Sequence, residues 1–336
     1  METKKLTISD SGAGDGNRTH VRSLGSLEHS IPFTASISIR PVTALLRRSW
    51  FACGTRFHND SGGIYWFGYG NIIVSEKMQT FLKRLSALVL CATAVWAQKS
   101  TPLSDSDLAA ITARGRMLAK YDIASWHATD AVLALKPAQG AVGRYIARKT
   151  DAGWVVVFGK FNGTKDAFVV AYEATQGSGS RQFTVKTYDP PEKDTGFFYI
   201  AAKAIELSLQ STHLEKRPYN TYVLPLDSGQ LYVYVLPAQT VADVYPLGGD
   251  TRYLVSADGT NIIETRQLHK SILEVKHSAP SGSKPAGGFH THVLTDAPED
   301  TDVFHVLRQK QPLPEAIGTK SGVYMVQIDG AIKRVK

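Results

Sequence analysis

Turn residues set between short runs of strand-forming residues constrain this chain more than any other feature. Asn162-Gly163 separates WVVVFGKF from AFVVAYEA, Asp227-Ser228-Gly229 separates NTYVLPL from QLYVYVLPA, and Asp258-Gly259 separates RYLVSA from NIIETRQL. Asn-Gly and Asp-Gly reach positive φ at little steric cost, and the flanking Val, Ile, Tyr and Phe suit a pleated, half-buried surface. GRYIARKT, FTVKTYD after a Gly/Ser turn at 177–180, Ser271–Val275, FHTHVL and the closing pair GVYMVQI/AIKRVK extend the series. Pro190-Pro191 is expected to interrupt the strand begun by FTVKTYD, because proline donates no ladder hydrogen bond.

Helices frame these strands. Asp107–Leu135 lacks proline and is rich in alanine, with a loose apolar stripe at Leu108, Ile111, Leu118, Ile123, Trp126 and Val132. Ser104 or Asp105 is the expected N-cap, Gly115 allows one break, and Pro137 and Gly140 end the segment. A second helix is expected over 197–210, whose middle carries Ala, Leu, Glu and Lys, and a short one around Asp302–Arg308. Mostly hairpin-linked strands with few helices imply an α+β fold with antiparallel sheets rather than a doubly wound one. There is no internal repeat and no dinucleotide- or phosphate-binding loop.

Residues 78–97, MQTFLKRLSALVLCATAVWA, divide the chain. Lys83 and Arg84 precede an uncharged run from Leu85 to Trp96, and Val95 and Ala97 stand at −3 and −1 before Gln98. This is the tripartite pattern of a secretory signal, cleaved after Ala97, and its apolar run is shorter than the ~20 residues a bilayer span needs. The peptide GAGDGNRTHVRSLGS within residues 11–26 resembles the product of translating across a bacterial transfer-RNA gene from a start codon placed too far upstream. That resemblance implies a true start at Met78, with residues 1–77 spurious or disordered. The expected mature chain, residues 98–336, divides at most into subdomains 98–215 and 216–336. The location expected for it is the periplasm or the outside of a bacterial cell.

This division changes the charge argument. The whole chain is formally +8, but residues 98–336 carry 27 basic and 24 acidic side chains, which removes the main support for nucleic-acid binding. Both cysteines, Cys53 and Cys91, fall outside the mature segment, so a disulfide framework, a cysteine-built zinc module and a thiol protease are excluded there. No Gly-x-Ser-x-Gly elbow occurs, and no stable membrane span is expected in the mature form.

Chemistry concentrates between Gly287 and His305. His290 and His292 lie two apart in a strand-like run, so their side chains share a face ~6–7 Å apart along the chain. Neutral imidazoles so placed can converge on one ion, and Asp302 downstream can complete a three-ligand site with an open position. His305, three residues further on the expected helix, is a fourth ligand or an outer partner. The same residues also suit a polar surface without metal, since acidic residues favour a helix N-terminus in any case.

The run GGFHTHVLTDAPEDTD resembles the JAB/JAMM metalloprotease motif, in which His-x-His-Pro at a strand end precedes Ser-x-x-Asp and a separate upstream glutamate serves as base. His290 and His292 match the histidines and Asp302 approximates the aspartate. Val293 replaces the proline, Glu299 occupies the serine slot, and the spacing is one residue short. The resemblance implies zinc and amide hydrolysis, with Glu299 or Glu264 as base and Glu274 the other nearby glutamate. The competing expectation is a non-catalytic envelope module that binds a small molecule or peptide. Trp126, His127 and Asp130, with Tyr121 and Asp122 on the same helix, form a second cluster able to hold a ligand or pack locally. His269 can join the histidines from a neighbouring strand, and Tyr232 and Tyr234 share one face of theirs.

Overall fold

The computed structural model describes residues 103–276 and 285–335. The expected signal at 78–97, everything before it, and most of the Ser/Gly/Pro/Lys stretch at 278–288 lie outside the described residues. The described residues fold as α+β: three helices and four sheets, antiparallel except for one strand pair.

Helix α1 (Asp105–Leu133) runs unbroken. The Ser104 hydroxyl accepts from the Asp107 backbone N–H, and the Asp107 carboxylate accepts in return from the Ser104 N–H, closing a capping box. Its buried face includes Leu108, Ile111, Leu118, Ala124 and Val132, whereas Ile123 of the expected stripe faces solvent. Gly115 is no break. It lies where α1 packs against a second helix: a Cβ there would collide with the Val303 side chain and the Asp300 carbonyl.

Strands β1 (Arg144–Thr150), β2 (Gly153–Phe161), β3 (Phe168–Gln176) and β4 (Phe183–Asp194) form an antiparallel meander. The Asn162-Gly163 connection is a six-residue loop rather than a two-residue turn, since Phe161 pairs with Phe168. Asn162 organises it by accepting from the N–H groups of Asp166 and Ala167. Pro190-Pro191 does not end β4. Among the described residues this outer strand pairs only with β3, and its register shifts opposite Val170–Tyr172, where missing donors cost least.

After helix α2 (Phe197–Ser211), a second antiparallel sheet runs in the order β5 (Tyr219–Pro225), β6 (Leu231–Pro237), β8 (Thr251–Val255), β9 (Ile262–Gln267). Strand β7 (Tyr245–Leu247) pairs with β10 (Leu273–Val275). Both large sheets are covered on two faces. Tyr145, Ala147, Phe158, Tyr222 and Leu236 share a core with α1, while the alternating Ile146, Val157, Val223 and Val235 pack with α2. Two-sided burial explains why runs such as WVVVF and YVYVL are continuously apolar instead of alternating.

The last sheet contains β11 (Gly288–Thr291), β12 (Glu315–Thr319), β13 (Gly322–Val326) and β14 (Ile332–Val335), with β11 parallel to β12. A parallel neighbour needs a crossover, and helix α3 (Asp300–Leu307) supplies it. Val303 and Val306 of α3 share a buried cluster with Ile111, Ile317 and Val326, clamping α3 between α1 and this sheet.

Candidate metal centre

Three acidic residues at the start of α3, Glu299, Asp300 and Asp302, are each held by a different contact. Glu299 pairs with Arg266 of β9 at 2.6 Å. Asp300, fully buried, receives Arg252 at 2.8 Å, Arg114 at 2.9 Å and the Tyr234 hydroxyl at 2.7 Å. Asp302 accepts the Glu299 N–H through Oδ2 at 2.6 Å, and Oδ2 also lies 3.3 Å from His292 Nε2, while Oδ1 meets the histidines. These contacts fix α3 against β6, β8, β9 and α1, and so fix where Asp302 Oδ1 sits.

Three imidazoles meet that oxygen. His290 Nε2 lies 3.0 Å from Asp302 Oδ1, His269 Nε2 3.1 Å and His292 Nε2 3.4 Å. Among themselves, His269 and His292 Nε2 are 2.9 Å apart, and His290 and His292 Nε2 3.2 Å. All four residues are buried, Asp302 completely. His290 comes from β11, His292 from the residue just beyond it, and His269 from two residues beyond β9.

The opposite nitrogen of every ring is already engaged. His269 Nδ1 lies 2.8 Å from Asp250 Oδ1, His290 Nδ1 lies 2.9 Å from Glu315 Oε1, and His292 Nδ1 lies 2.7 Å from the Ala297 carbonyl. A carboxylate and a carbonyl only accept, so each Nδ1 carries a proton, and each Nε2, once it gives up any proton of its own, directs a lone pair inward. Five of the six distances among the three Nε2 atoms and Asp302 Oδ1 are 2.9–3.4 Å, and deprotonated nitrogens so close to one another and to a carboxylate repel unless a cation lies among them. In a tetrahedral zinc site, bonds of ~2.0–2.1 Å place ligand atoms about 3.3 Å apart. Those five edges sit within a few tenths of an ångström of that figure.

The charge balance points the same way. Asp250, Asp302 and Glu315 bring three buried carboxylates around three imidazoles, a costly arrangement without positive charge. Burial alone would lower the His290 pKa, yet the Asp302 and Glu315 carboxylates push it up to about 9. His269 is likewise held well above the ordinary histidine range, burial being outweighed by Asp250 and Asp302. Burial would raise Asp302, but the His269, His290 and His292 rings hold it well below the usual carboxylate range. Glycines make room for the outer partners: a Cβ on Gly288 would overlap Glu315 Oε2, and one on Gly287 would crowd the Pro314 carbonyl. The residues present therefore fit a divalent cation.

The structure brings together the expected ligands His290, His292 and Asp302, and His269, which the sequence allowed to join them without requiring it, is the fourth. His305 is buried one turn further along α3, beside a separate small cavity that Asp250 and Gly248 also line, and is not among the converging four. Glu299 is engaged by Arg266, with burial pushing its carboxyl pKa up and Arg266 opposing that shift. Glu264 stands exposed on β9. Trp126 and His127 stack at 4.7 Å on α1 beside exposed Asp130, away from the histidines by fold position. Tyr234 is buried on Asp300, and half-buried Tyr232 lies under the Arg252 guanidinium, so that face is packed.

The outer acceptors Asp250 and Glu315 were not singled out in the sequence. Their only local signal is an adjoining tight backbone: Gly248-Gly249 before Asp250, and Gly288 opposite Glu315. His269, His290 and His292 also line a surface cleft of about 380 Å³ with Phe289 and Leu273 on its walls. Among the described residues no helix is long and apolar enough to cross a membrane.

No protein-family model matches the chain, and neither a curated protein nor a solved structure matches it significantly. Function therefore has to be argued from the four converging side chains themselves.

Proposed function

We propose that this chain is a metalloprotein holding one divalent transition-metal ion, zinc foremost, on His269, His290, His292 and Asp302. One observation carries the reading: every histidine commits Nδ1 to an outer acceptor while the Nε2 atoms converge with Asp302 Oδ1, five of their six separations lying near tetrahedral spacing. Ligating histidines characteristically donate their other N–H to a carboxylate or carbonyl, which sets the tautomer and raises ligand basicity. Imidazole with one carboxylate suits zinc and its neighbours rather than calcium or magnesium. Four protein donors fill a tetrahedron, so the ion's first role is to tie β9, β11 and α3 together.

The test is elemental analysis of the exported chain after zinc reconstitution. About one ion per chain is expected, falling to near zero in the His290→Ala/His292→Ala double variant. A wild-type protein that retains no metal refutes the proposal. The same preparation bears on export, because a mature mass beginning at Gln98 is expected and one beginning upstream of Met78 overturns it.

A second reading, a zinc-dependent hydrolase, draws support from the cleft that reaches the three imidazoles. A metal there would supply Lewis-acid polarisation of a carbonyl once its coordination expands. Within the chain, Glu299 is the candidate proton acceptor, its carboxyl pushed up by burial and held in place by Arg266. Cobalt substitution separates the two readings. A strongly absorbing four-coordinate spectrum that cleft ligands leave unchanged favours the structural role. A weaker spectrum of higher coordination that shifts with added carboxylate or hydroxamate favours the catalytic one.

A further inference from the structure

Strand β11 has one open edge, and the cleft beside the histidines runs along it. Among the described residues β11 pairs with β12 alone. Gly288 and His292 turn their N–H groups toward β12, donating to the Pro314 and Gly318 carbonyls at 2.9 Å and 2.8 Å. Main-chain groups alternate sides along a strand, so Phe289 and Thr291 aim theirs away from β12. Two N–H donors and two carbonyl acceptors therefore stand unpaired among the described residues, and such an edge is a template for a further strand.

The lining of the cleft shows where it lies. Phe289, Thr291 and Val293 line it, and so do the alternate residues His290 and His292. Neighbours along a strand point to opposite faces, so a cleft touching both sets follows the edge of β11 rather than either face. Its volume of about 380 Å³ falls in the ~300–1,000 Å³ range of ligand pockets. Phe289, Val293 and Leu273 are 67%, 63% and 49% exposed, so a ligand reaches these apolar side chains directly. Among the described lining residues Lys270, itself exposed, alone brings a full charge apart from the histidines. The cleft thus pairs an apolar wall and a bare main-chain edge with one cation.

We propose that β11 is a docking edge for an extended peptide, which adds as a strand along Phe289–Thr291 beside the metal centre. The peptide main chain exchanges hydrogen bonds with Phe289 and Thr291 and supplies affinity, while its side chains supply selectivity. Apolar side chains meet Phe289, Val293 and Leu273, and an acidic one meets Lys270. The inference deepens the metalloprotein reading: it rests on that reading for the ion beside the peptide, and on the open edge for the peptide itself.

The experiment is fluorescence-anisotropy titration of the full zinc-loaded chain with four labelled hexapeptides that alternate Val or Leu with Thr and carry Glu at one end or the other. Saturable binding of at least one, at one site per chain, is expected. Every second peptide nitrogen faces β11, so N-methylation in that frame weakens binding about 3–10-fold per lost hydrogen bond, while methylation in the other frame spares it. Lys270→Glu, with an unaltered thermal transition, should shift the preference to the same peptides with Lys in place of Glu. Absence of binding by all four at millimolar concentration overturns the proposal. So does binding that methylation weakens in neither frame, and so does an unchanged charge preference in Lys270→Glu. Metal content of the same samples is read separately. One ion per chain with no peptide bound refutes this inference alone, whereas peptide binding by a chain that retains no ion supports it and refutes the metal reading.

Discussion

Replacing Asp250 by asparagine tests whether the outer partners build the metal centre. In the wild type Asp250 Oδ1 accepts both the His269 backbone N–H at 3.0 Å and its Nδ1–H at 2.8 Å. An asparagine oxygen can take both bonds, so the substitution removes charge while keeping shape. Charge-assisted hydrogen bonds are roughly twice as strong as neutral ones, and loss of such outer partners typically weakens metal affinity ~10–100-fold. At free metal 1,000 times the wild-type Kd, binding stabilises the fold by about 4.1 kcal/mol, whereas a 10–100-fold weaker site retains about 2.7 to 1.4 kcal/mol. With a shift of roughly 2–4 °C per kcal/mol for a domain of this size, the metal-induced rise in Tm should shrink by about 3–11 °C. The assay is calorimetry of each protein with zinc and with chelator. Comparing metal-induced shifts cancels whatever the substitution does to the metal-free fold. A metal-induced shift equal to that of the wild type would refute the assignment of Asp250 as the group that orients His269.

Two further outcomes follow from the same contacts. Asp300→Ala leaves Arg252, only 7% exposed, as an uncompensated buried charge and strips Tyr234 and Arg114 of their acceptor. Removing one partner of such a buried group costs about 3–5 kcal/mol, discounted here for half-exposed Arg114, and urea unfolding of the metal-loaded protein reads it directly. For the metal-free protein, the His290 pKa of about 9 and the raised His269 give a stability contribution complete below pH ~6.5 and lost as pH rises toward 9. Depressed Asp302 adds a contribution present above pH ~3.9 and lost on further acidification. Zinc affinity rises across the same upper window, because binding displaces the protons held by His269 and His290. Metal-free stability that stays flat between pH 6.5 and 9 would contradict this account.

Local physics made much of the molecule legible. The capping box at Ser104, the hairpins at Gly229 and Gly259, and the continuous apolar runs each depend on residues a few positions apart. The same holds for three of the four residues of the candidate centre. Alternation along a strand is enough to place His290 and His292 together, and an aspartate three residues into a helix marks the Asp302 end. No described residue is a cysteine, and the nucleic-acid reading weakens to the extent that the chain starts at Gln98 as expected, since charge and composition need no coordinates.

Tertiary structure decided what completes the site. His269 is 21 residues from His290, and its role depends on the end of β9 meeting α3, which Arg266, Arg252 and Asp300 arrange from three separate elements. Asp250 and Glu315 become outer acceptors only because β11 lies parallel to β12 and β8 leads back beside β9. Gly115 read as a possible helix break. Packing made it the crossing point that lets α1 approach α3. A strand or helix period is set by the backbone of one segment, whereas convergence of distant side chains is set by how several segments bury their faces together. The sequence could therefore supply the histidine pair and the aspartate, and only the packed fold could determine that they share a centre with His269.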